Sequence, residues 1–113
     1  MNSENLYFIK ISGTIRDEKR KEFQQTVQFI FNHLPSECLG HNLALDVHIS
    51  DLYHIYLLWS SEYSLIKFNK SHEYELLKGA YRTLGSYRET ISGKKSDLTL
   101  FELNHLDINP LKK

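Results

Sequence analysis

The apolar residues of this 113-residue sequence change their spacing several times, and the order of these changes restricts the possible folds. Between Tyr7 and Ile15, apolar residues alternate with polar ones, which is typical of a half-buried strand. Between Asp17 and Leu34 the apolar positions are mostly three or four residues apart, which predicts an amphipathic helix. Pro35 ends this helix, because proline cannot continue one. The chain therefore begins with a strand followed by a helix.

Two further strands follow this helix. Apolar and polar side chains alternate from His41 to Ser50 and again from Tyr53 to Trp59. The polar pair Ser50-Asp51 links the two runs and is typical of a short turn. We therefore predict an antiparallel hairpin, with Val47 and Ile49 on the apolar side of its first strand.

The last third of the sequence returns to helical spacing and then becomes polar. Apolar residues from Ser61 to Leu84 predict a helical region, and Ser71 predicts the cap of a second helical piece within it. The polar stretch Ser86–Asp97 predicts a loop. The apolar run Leu98–Leu103 predicts a final strand, and Asn104–Lys113 predicts a loose tail.

The resulting order is strand, helix, strand, strand, helix, strand, which is the βαββαβ order of the ferredoxin-like α+β fold. We predict one domain over residues 1–113, with a core of about residues 6–103 and both helices on one face of an antiparallel sheet. The other face is left uncovered, and the alternation assigns to it Phe8, Lys10, Ser12, Ala44, Asp46, His48, His54, Tyr56 and Leu58. Because such a mixed face is typical of a surface that meets another protein, we predict a homodimer joined through it.

The charges and cysteines exclude several classes of protein. Fourteen Lys and Arg residues balance fourteen Asp and Glu residues. Proteins that bind nucleic acid or anionic membranes usually carry a basic excess, so the balance argues against both partners. No apolar run reaches the ~18 residues of a membrane span. One cysteine, Cys38, cannot form an internal disulfide, and the six histidines show no zinc-finger spacing. We therefore expect a cytoplasmic protein without a bound metal.

The stretch from Tyr56 to Leu65, continued by Lys70 to Tyr74, resembles the antibiotic-biosynthesis-monooxygenase-like family. The shared features are a strand that ends in Trp, a Ser/Glu helix start, and a later Ser before the second helical piece. The resemblance spans Leu6 to Glu102 and implies a dimeric α/β barrel, with a pocket between the sheet and the helices of each protomer. Members of this family include monooxygenases that oxidise phenolic or quinol-type substrates without metal or flavin, haem-degrading enzymes, and small proteins of unsettled role.

The sequence departs from the two enzymatic branches of that family. Haem-degrading members carry a Trp and a His on the second helix, where this sequence has Phe68 and Lys78. Polyketide-oxidising members place an Asn before the strand Trp and a Tyr after it, where this sequence has Ile55 and Leu65. Of the residues that the polyketide-oxidising branch uses, only the Trp, here Trp59, is retained. Haem degradation is therefore not expected.

The resemblance directs attention to a pocket beside Trp59. We predict that Trp59, Phe68 and Tyr81 form its walls, and the indole N–H of Trp59 can donate to a ligand oxygen. His72 is the candidate general base, because an imidazole exchanges protons near neutral pH. The alternatives are structural: Trp59 as a core residue, and His72 as an exposed residue of a first helical turn.

A second group of titratable residues lies on the predicted open face of the sheet. Asp46, His48 and His54 share that face, and a carboxylate can orient an imidazole there. A hydrolase or metal site needs further converging groups, so hydrogen-bonded residues of a dimer interface are the preferred interpretation. Cys38 is interpreted as an ordinary thiol.

These residues and the resemblance together imply a cytoplasmic, homodimeric, cofactor-independent monooxygenase that acts on a small phenol- or quinol-type molecule. The alternative is a non-catalytic dimeric protein of the same fold that binds a small ligand or has a stress-related role. The replaced family positions at Ile55, Leu65 and Phe68 favour this alternative.

Overall fold

The computed structural model describes residues 6–98, which form one four-stranded antiparallel sheet with its helices on one face. The strands lie in the order β2-β3-β1-β4. Their bounds are Tyr7–Ile15 (β1), Cys38–Leu45 (β2), Leu52–Trp59 (β3) and Gly85–Lys94 (β4). The helices are Arg20–Phe31 (α1), Glu62–Asn69 (α2) and His72–Leu84 (α3). The predicted ferredoxin-like α+β fold is confirmed.

The helices begin where the sequence provides a cap. Ser61 and Ser71 accept hydrogen bonds from the backbone N–H groups of Ser64 and Tyr74, so each serine satisfies a free donor of the first helical turn. The short break between α2 and α3 therefore follows from Ser71, as predicted. None of the helices within residues 6–98 has the length and apolar composition that a membrane crossing requires.

The main core lies between the sheet and the helices. Alternate residues of the two central strands point into it, including Ile9, Ile11, Ile55 and Leu57, each with 0% exposure. Helices α1 and α3 contribute one face each, with the buried residues Phe23, Val27, Ile30, Phe31, Leu77, Ala80, Tyr81 and Leu84. Burial on this scale is the main source of stability for a small domain.

The first strand of the predicted hairpin ends earlier than the alternation suggests. It ends at Leu45, and the expected strand residues Val47 and Ile49 are 57% and 47% exposed. The reason is Asp46, whose carboxylate oxygen Oδ2 accepts the backbone N–H groups of His48 and Ile49. Such local bonds occupy donors that a strand would use in its ladder, so the chain turns instead.

The final strand lies where a loop was predicted. Residues 86–94 belong to β4, which pairs with β1 from Gly85 opposite Ile15 to Lys94 opposite Tyr7. The strand is polar because it lies at the edge of the sheet, and a register shift at Ser12/Gly13 interrupts its alternation. The predicted strand Leu98–Leu103 is therefore not needed to complete the sheet; residues 99–103 and the predicted tail 104–113 lie outside the described residues.

The sheet face opposite the helices is not uncovered, in contrast to the prediction. Phe8, Tyr56 and Leu58 are 5%, 3% and 2% exposed within a single chain. Leu98 joins these residues in a second apolar cluster, because the chain turns back after β4 through a short 3₁₀ turn. The sheet thus buries side chains on both of its faces.

Candidate functional site

A cavity of about 420 Å³ lies where the end of β3, the starts of α2 and α3 and the turn after α1 meet. Its volume is within the range of small-molecule sites, about 300–1,000 Å³. Its lining comprises His33, Pro35, Glu37, Trp59, Ser61, Tyr63, Ser64, Lys67, Phe68, Ser71 and Glu73.

Two aromatic rings form the apolar part of this cavity. Trp59 is the last residue of β3 and has 0% exposure, and its ring centroid is 5.0 Å from that of Phe68 on α2. Tyr74 supports Phe68 from behind, with the two ring centroids 5.4 Å apart. The wall is therefore held by tertiary packing, and because almost none of either ring is exposed, a planar ligand reaches it only when the side chains that cover the rings move aside.

The indole nitrogen of Trp59 is a buried donor that lacks an acceptor. Among the described residues, no group accepts a hydrogen bond from Nε1. Leaving such a donor unsatisfied costs about 1–3 kcal/mol, and native proteins rarely do so without a reason. Because Trp59 also lines the cavity, a ligand oxygen that displaces the side chains covering the indole would provide an acceptor for this N–H.

The turn after α1 forms another part of the lining, and backbone hydrogen bonds fix it in place. The N–H of His33 donates to Ile30 O at 2.9 Å, and that of Cys38 donates to Pro35 O at 3.0 Å. The N–H of Ser60 donates to Glu37 O at 3.1 Å, which ties this turn to the end of β3. His33 and Glu37 therefore lie beside Trp59 as a consequence of the fold.

His33 has a defined proton arrangement. Its Nδ1 lies 2.8 Å from the backbone oxygen of Phe29, and its ring packs on the Phe29 ring with centroids 4.5 Å apart. A carbonyl oxygen only accepts, so in the neutral imidazole Nδ1 carries the proton and Nε2 carries the lone pair. His33 thus offers a base at the cavity. His33 is not among the residues predicted from the sequence, although its position one helical turn after Phe29 predicts contact with that residue.

The structure places only two of the four predicted site residues at this cavity. Trp59 and Phe68 line it, whereas His72 and Tyr81 are not among its described lining residues. His72 is the exposed first residue of α3. The functional roles of all four residues stay predictions.

Tyr81 lies in the core instead. Its hydroxyl donates to the backbone oxygens of Tyr53 at 2.8 Å and Ile11 at 3.1 Å, and burial raises its pKa well above the usual value. The ring crosses β1 at Gly13, where an added Cβ would lie 2.9 Å from Cε1 of Tyr81. Tyr81 therefore joins α3 to the two central strands.

A hydrogen-bonded chain of three residues lies on the opposite face of the sheet. Ser12 Oγ is 2.7 Å from His54 Nδ1, and His54 Nε2 is 2.8 Å from Asp46 Oδ1. The carboxylate only accepts, so Nε2 donates to it, and in the neutral imidazole Nδ1 accepts from the serine hydroxyl. Ser12 is only 2% exposed and its hydroxyl is already bonded to His54, so the chain satisfies buried polar groups. His48 contributes its backbone N–H to Asp46.

This chain predicts an acid-sensitive contribution to stability. The hydrogen bond from His54, and then the backbone N–H groups of His48 and Ile49, lower the pKa of Asp46. A lowered pKa in the folded state stabilises the fold above the unfolded value of about 3.9, and this stabilisation is lost as the pH falls below it. Urea unfolding at pH 7 and pH 3 should show a smaller acid-induced loss in Asp46→Asn than in the wild type. The control Asp51→Asn removes a carboxylate of the same loop; if it behaves as Asp46→Asn does, the assignment is wrong.

The structure also bears on thiol and metal chemistry. Burial raises the pKa of Cys38 to about 11, and its thiol donates to Gly40 O at 3.3 Å, so it is protonated at neutral pH and a poor nucleophile. Within residues 6–98, no three His, Cys, Asp or Glu side chains are arranged to hold a metal ion.

Solved structures of several other proteins are similar to the structure of this chain. No protein-family model and no curated protein matches the sequence. A conserved protein from Methanosarcina mazei Go1 is 14% identical, with a TM-score of 0.66 over 81% of this chain and 92% of its own. A provisionally named antibiotic biosynthesis monooxygenase from Chloroflexus aurantiacus J-10-fl is 16% identical, with a TM-score of 0.61 over 80% and 92%. A similarly named protein from Caulobacter crescentus CB15 is 11% identical, with a TM-score of 0.65 over 85% and 92%.

At these identities the likeness is one of fold. The strand order, the helix positions and the coverage of nearly the whole of each solved chain agree with the resemblance seen in the stretch around Trp59. The chain has the fold of the antibiotic-biosynthesis-monooxygenase-like proteins.

Proposed function

We propose that this protein is a cofactor-independent monooxygenase for a small phenol- or quinol-type molecule, which it binds in the cavity beside Trp59. The observation that carries the proposal is the buried, unpartnered indole N–H of Trp59 in an aromatic-walled cavity. An aromatic ring that bears an oxygen substituent satisfies both features at once. Its ring packs on Trp59 and Phe68, and its oxygen accepts the indole hydrogen bond.

The reaction needs deprotonation of the bound hydroxyl and access of dioxygen. Removal of the proton gives an electron-rich anion that reduces O₂ directly. One oxygen atom enters the ring as the second carbonyl of a quinone, and the other leaves as water, so a phenol and O₂ give a quinone and H₂O without an external reductant. The indole N–H stabilises negative charge on the ligand oxygen, which is the electrostatic contribution expected of such a donor.

Oxygen uptake tests this proposal. A panel of quinols and phenols should stimulate uptake by the wild type, and Trp59→Phe, which keeps a ring but removes the N–H, should lower kcat/KM at least about 10-fold. Unfolding midpoints of both proteins control for stability. If the wild type consumes oxygen no faster than buffer with every compound, the monooxygenase proposal is wrong.

A second candidate is a binding protein that uses the same cavity without catalysis. By the resemblance, polar catalytic groups would stand at the positions of Ile55, Leu65 and Phe68, yet these residues are apolar and 0%, 6% and 3% exposed. Saturable binding of phenols together with background oxygen uptake would support this candidate over the first.

The homodimer also stays a proposal, as does the cytoplasmic location. Phe8, Tyr56 and Leu58 are already buried in one chain, so a partner would meet other residues of that sheet side and its edges. Ile91 and Leu45, which are 43% and 42% exposed, are apolar residues available at the two edge strands.

A further inference from the structure

We infer that His33, rather than His72, is the group that accepts the hydroxyl proton of the bound ligand. This inference rests on the proposed function, because it assigns a role within the same cavity. Both imidazoles are exposed, but His33 lines the cavity together with Trp59, whereas His72, the first residue of α3, is not among its described lining residues.

The hydrogen bond to Phe29 O determines which nitrogen is available. It places the proton of the neutral ring on Nδ1, 2.8 Å from the carbonyl oxygen, and leaves the lone pair of Nε2 free to accept. The Phe29 ring also packs against the imidazole, with its plane tilted by 42° and its centroid 4.5 Å away, and the bond from His33 N–H to Ile30 O fixes the backbone that carries the side chain. A base that is oriented before the ligand arrives loses little entropy in the reaction.

The proton transfer is balanced within the site. The O–H bond of the ligand breaks, its proton moves to Nε2, and the ligand keeps the electron pair as an oxyanion. The resulting imidazolium retains its Nδ1–H bond to Phe29 O. The indole N–H of Trp59, which lines the same cavity, is the donor proposed for the oxyanion.

The other titratable groups of the cavity lining are Glu37, Tyr63, Lys67 and Glu73. Glu73 lies in the first turn of α3, and Glu37 lies in the turn that carries Pro35. A carboxylate can also act as a general base. Glu37 lies in the same turn as His33, so it is the competitor that a test must separate from His33.

A chromophoric phenol provides the test without any oxygenation. We propose anaerobic titration of the full chain with 4-nitrophenol, whose phenolate is distinguished from the phenol by its visible absorbance. The bound dye should be mostly phenolate in the wild type near neutral pH. His33→Gln should lower the bound phenolate-to-phenol ratio at least about 10-fold and shift the midpoint of its pH profile upward. His72→Gln, at a residue outside the described cavity lining, should retain the wild-type ratio, and Glu37→Gln should lower it by less than His33→Gln does.

The outcomes separate this inference from the proposed function. Bound dye with an unchanged ratio in His33→Gln overturns the role of His33 alone, as does an equal loss in Glu37→Gln or in His72→Gln. Absence of dye binding by the folded wild type contradicts the proposed site and the inference together. Phenolate formation that depends on His33, without oxygen uptake for any substrate, supports the inference and contradicts the monooxygenase proposal.

Discussion

Replacing Gly85 with alanine is expected to prevent stable folding or to lower the free energy of unfolding by about 3 kcal/mol or more. Gly85 is the first residue of β4 and pairs with Ile15 of β1. An added Cβ would overlap the carbonyl oxygen of Thr14 and lie 2.7 Å from Cα of Ile15. Both contacts are with backbone, which cannot move aside without breaking the pairing of β1 with β4. Urea unfolding followed by circular dichroism measures the effect.

Gly79→Ala is the matched control for this prediction. It makes the same chemical change six residues earlier, in the middle of α3, where an added Cβ meets no atom within 4 Å. Alanine is the better helix former, so we expect this variant to gain about 0.5–1 kcal/mol. Equal stability of the two variants would show that the close approach at Gly85 is misplaced.

Substitution of Tyr81 is expected to have the second-largest effect and to act on stability alone. Tyr81→Ala removes a fully buried ring that packs 4.9 Å from the Phe23 ring, at a cost of about 3–5 kcal/mol. Tyr81→Phe removes only the hydroxyl that Ile11 O and Tyr53 O share, at a cost of about 1–3 kcal/mol. Urea unfolding measures both effects.

Ligand affinity distinguishes the two roles considered for Tyr81. As a core residue it should leave phenol binding by the folded Tyr81→Phe variant unchanged, whereas Trp59→Phe should weaken that binding. A loss of affinity in Tyr81→Phe with unaltered stability would restore Tyr81 as a wall of the binding site.

The element order could be predicted from the sequence because each helix and most strands carry a clear apolar period. The core sides of β1 and β3 and the caps at Ser61 and Ser71 follow directly from local chemistry. The ends of β2 and the position of β4 could not be predicted in this way. Asp46 bends the chain through side-chain bonds, and β4 is an edge strand whose polar residues lack a clean alternation.

The candidate site could be predicted only in part. Trp59 and Phe68 were identified from a short resemblance, and they do lie together at a cavity. His33 was missed because it comes from the end of α1, which the fold brings beside β3 through contacts distant in sequence. The pairing of Ser12 with His54 was missed for a similar reason: it depends on the register of β1 against β3, which the sequence pattern leaves open.

The central claim is that the unpartnered indole N–H of Trp59 receives an oxygen of a small aromatic ligand. Trp59 is the one tryptophan of the sequence, so an ¹H–¹⁵N NMR spectrum of the protein contains a single indole N–H signal. Titration with 1-naphthol should move this signal downfield and saturate, because the N–H gains an acceptor. An indole signal that keeps its position throughout the titration would contradict the account.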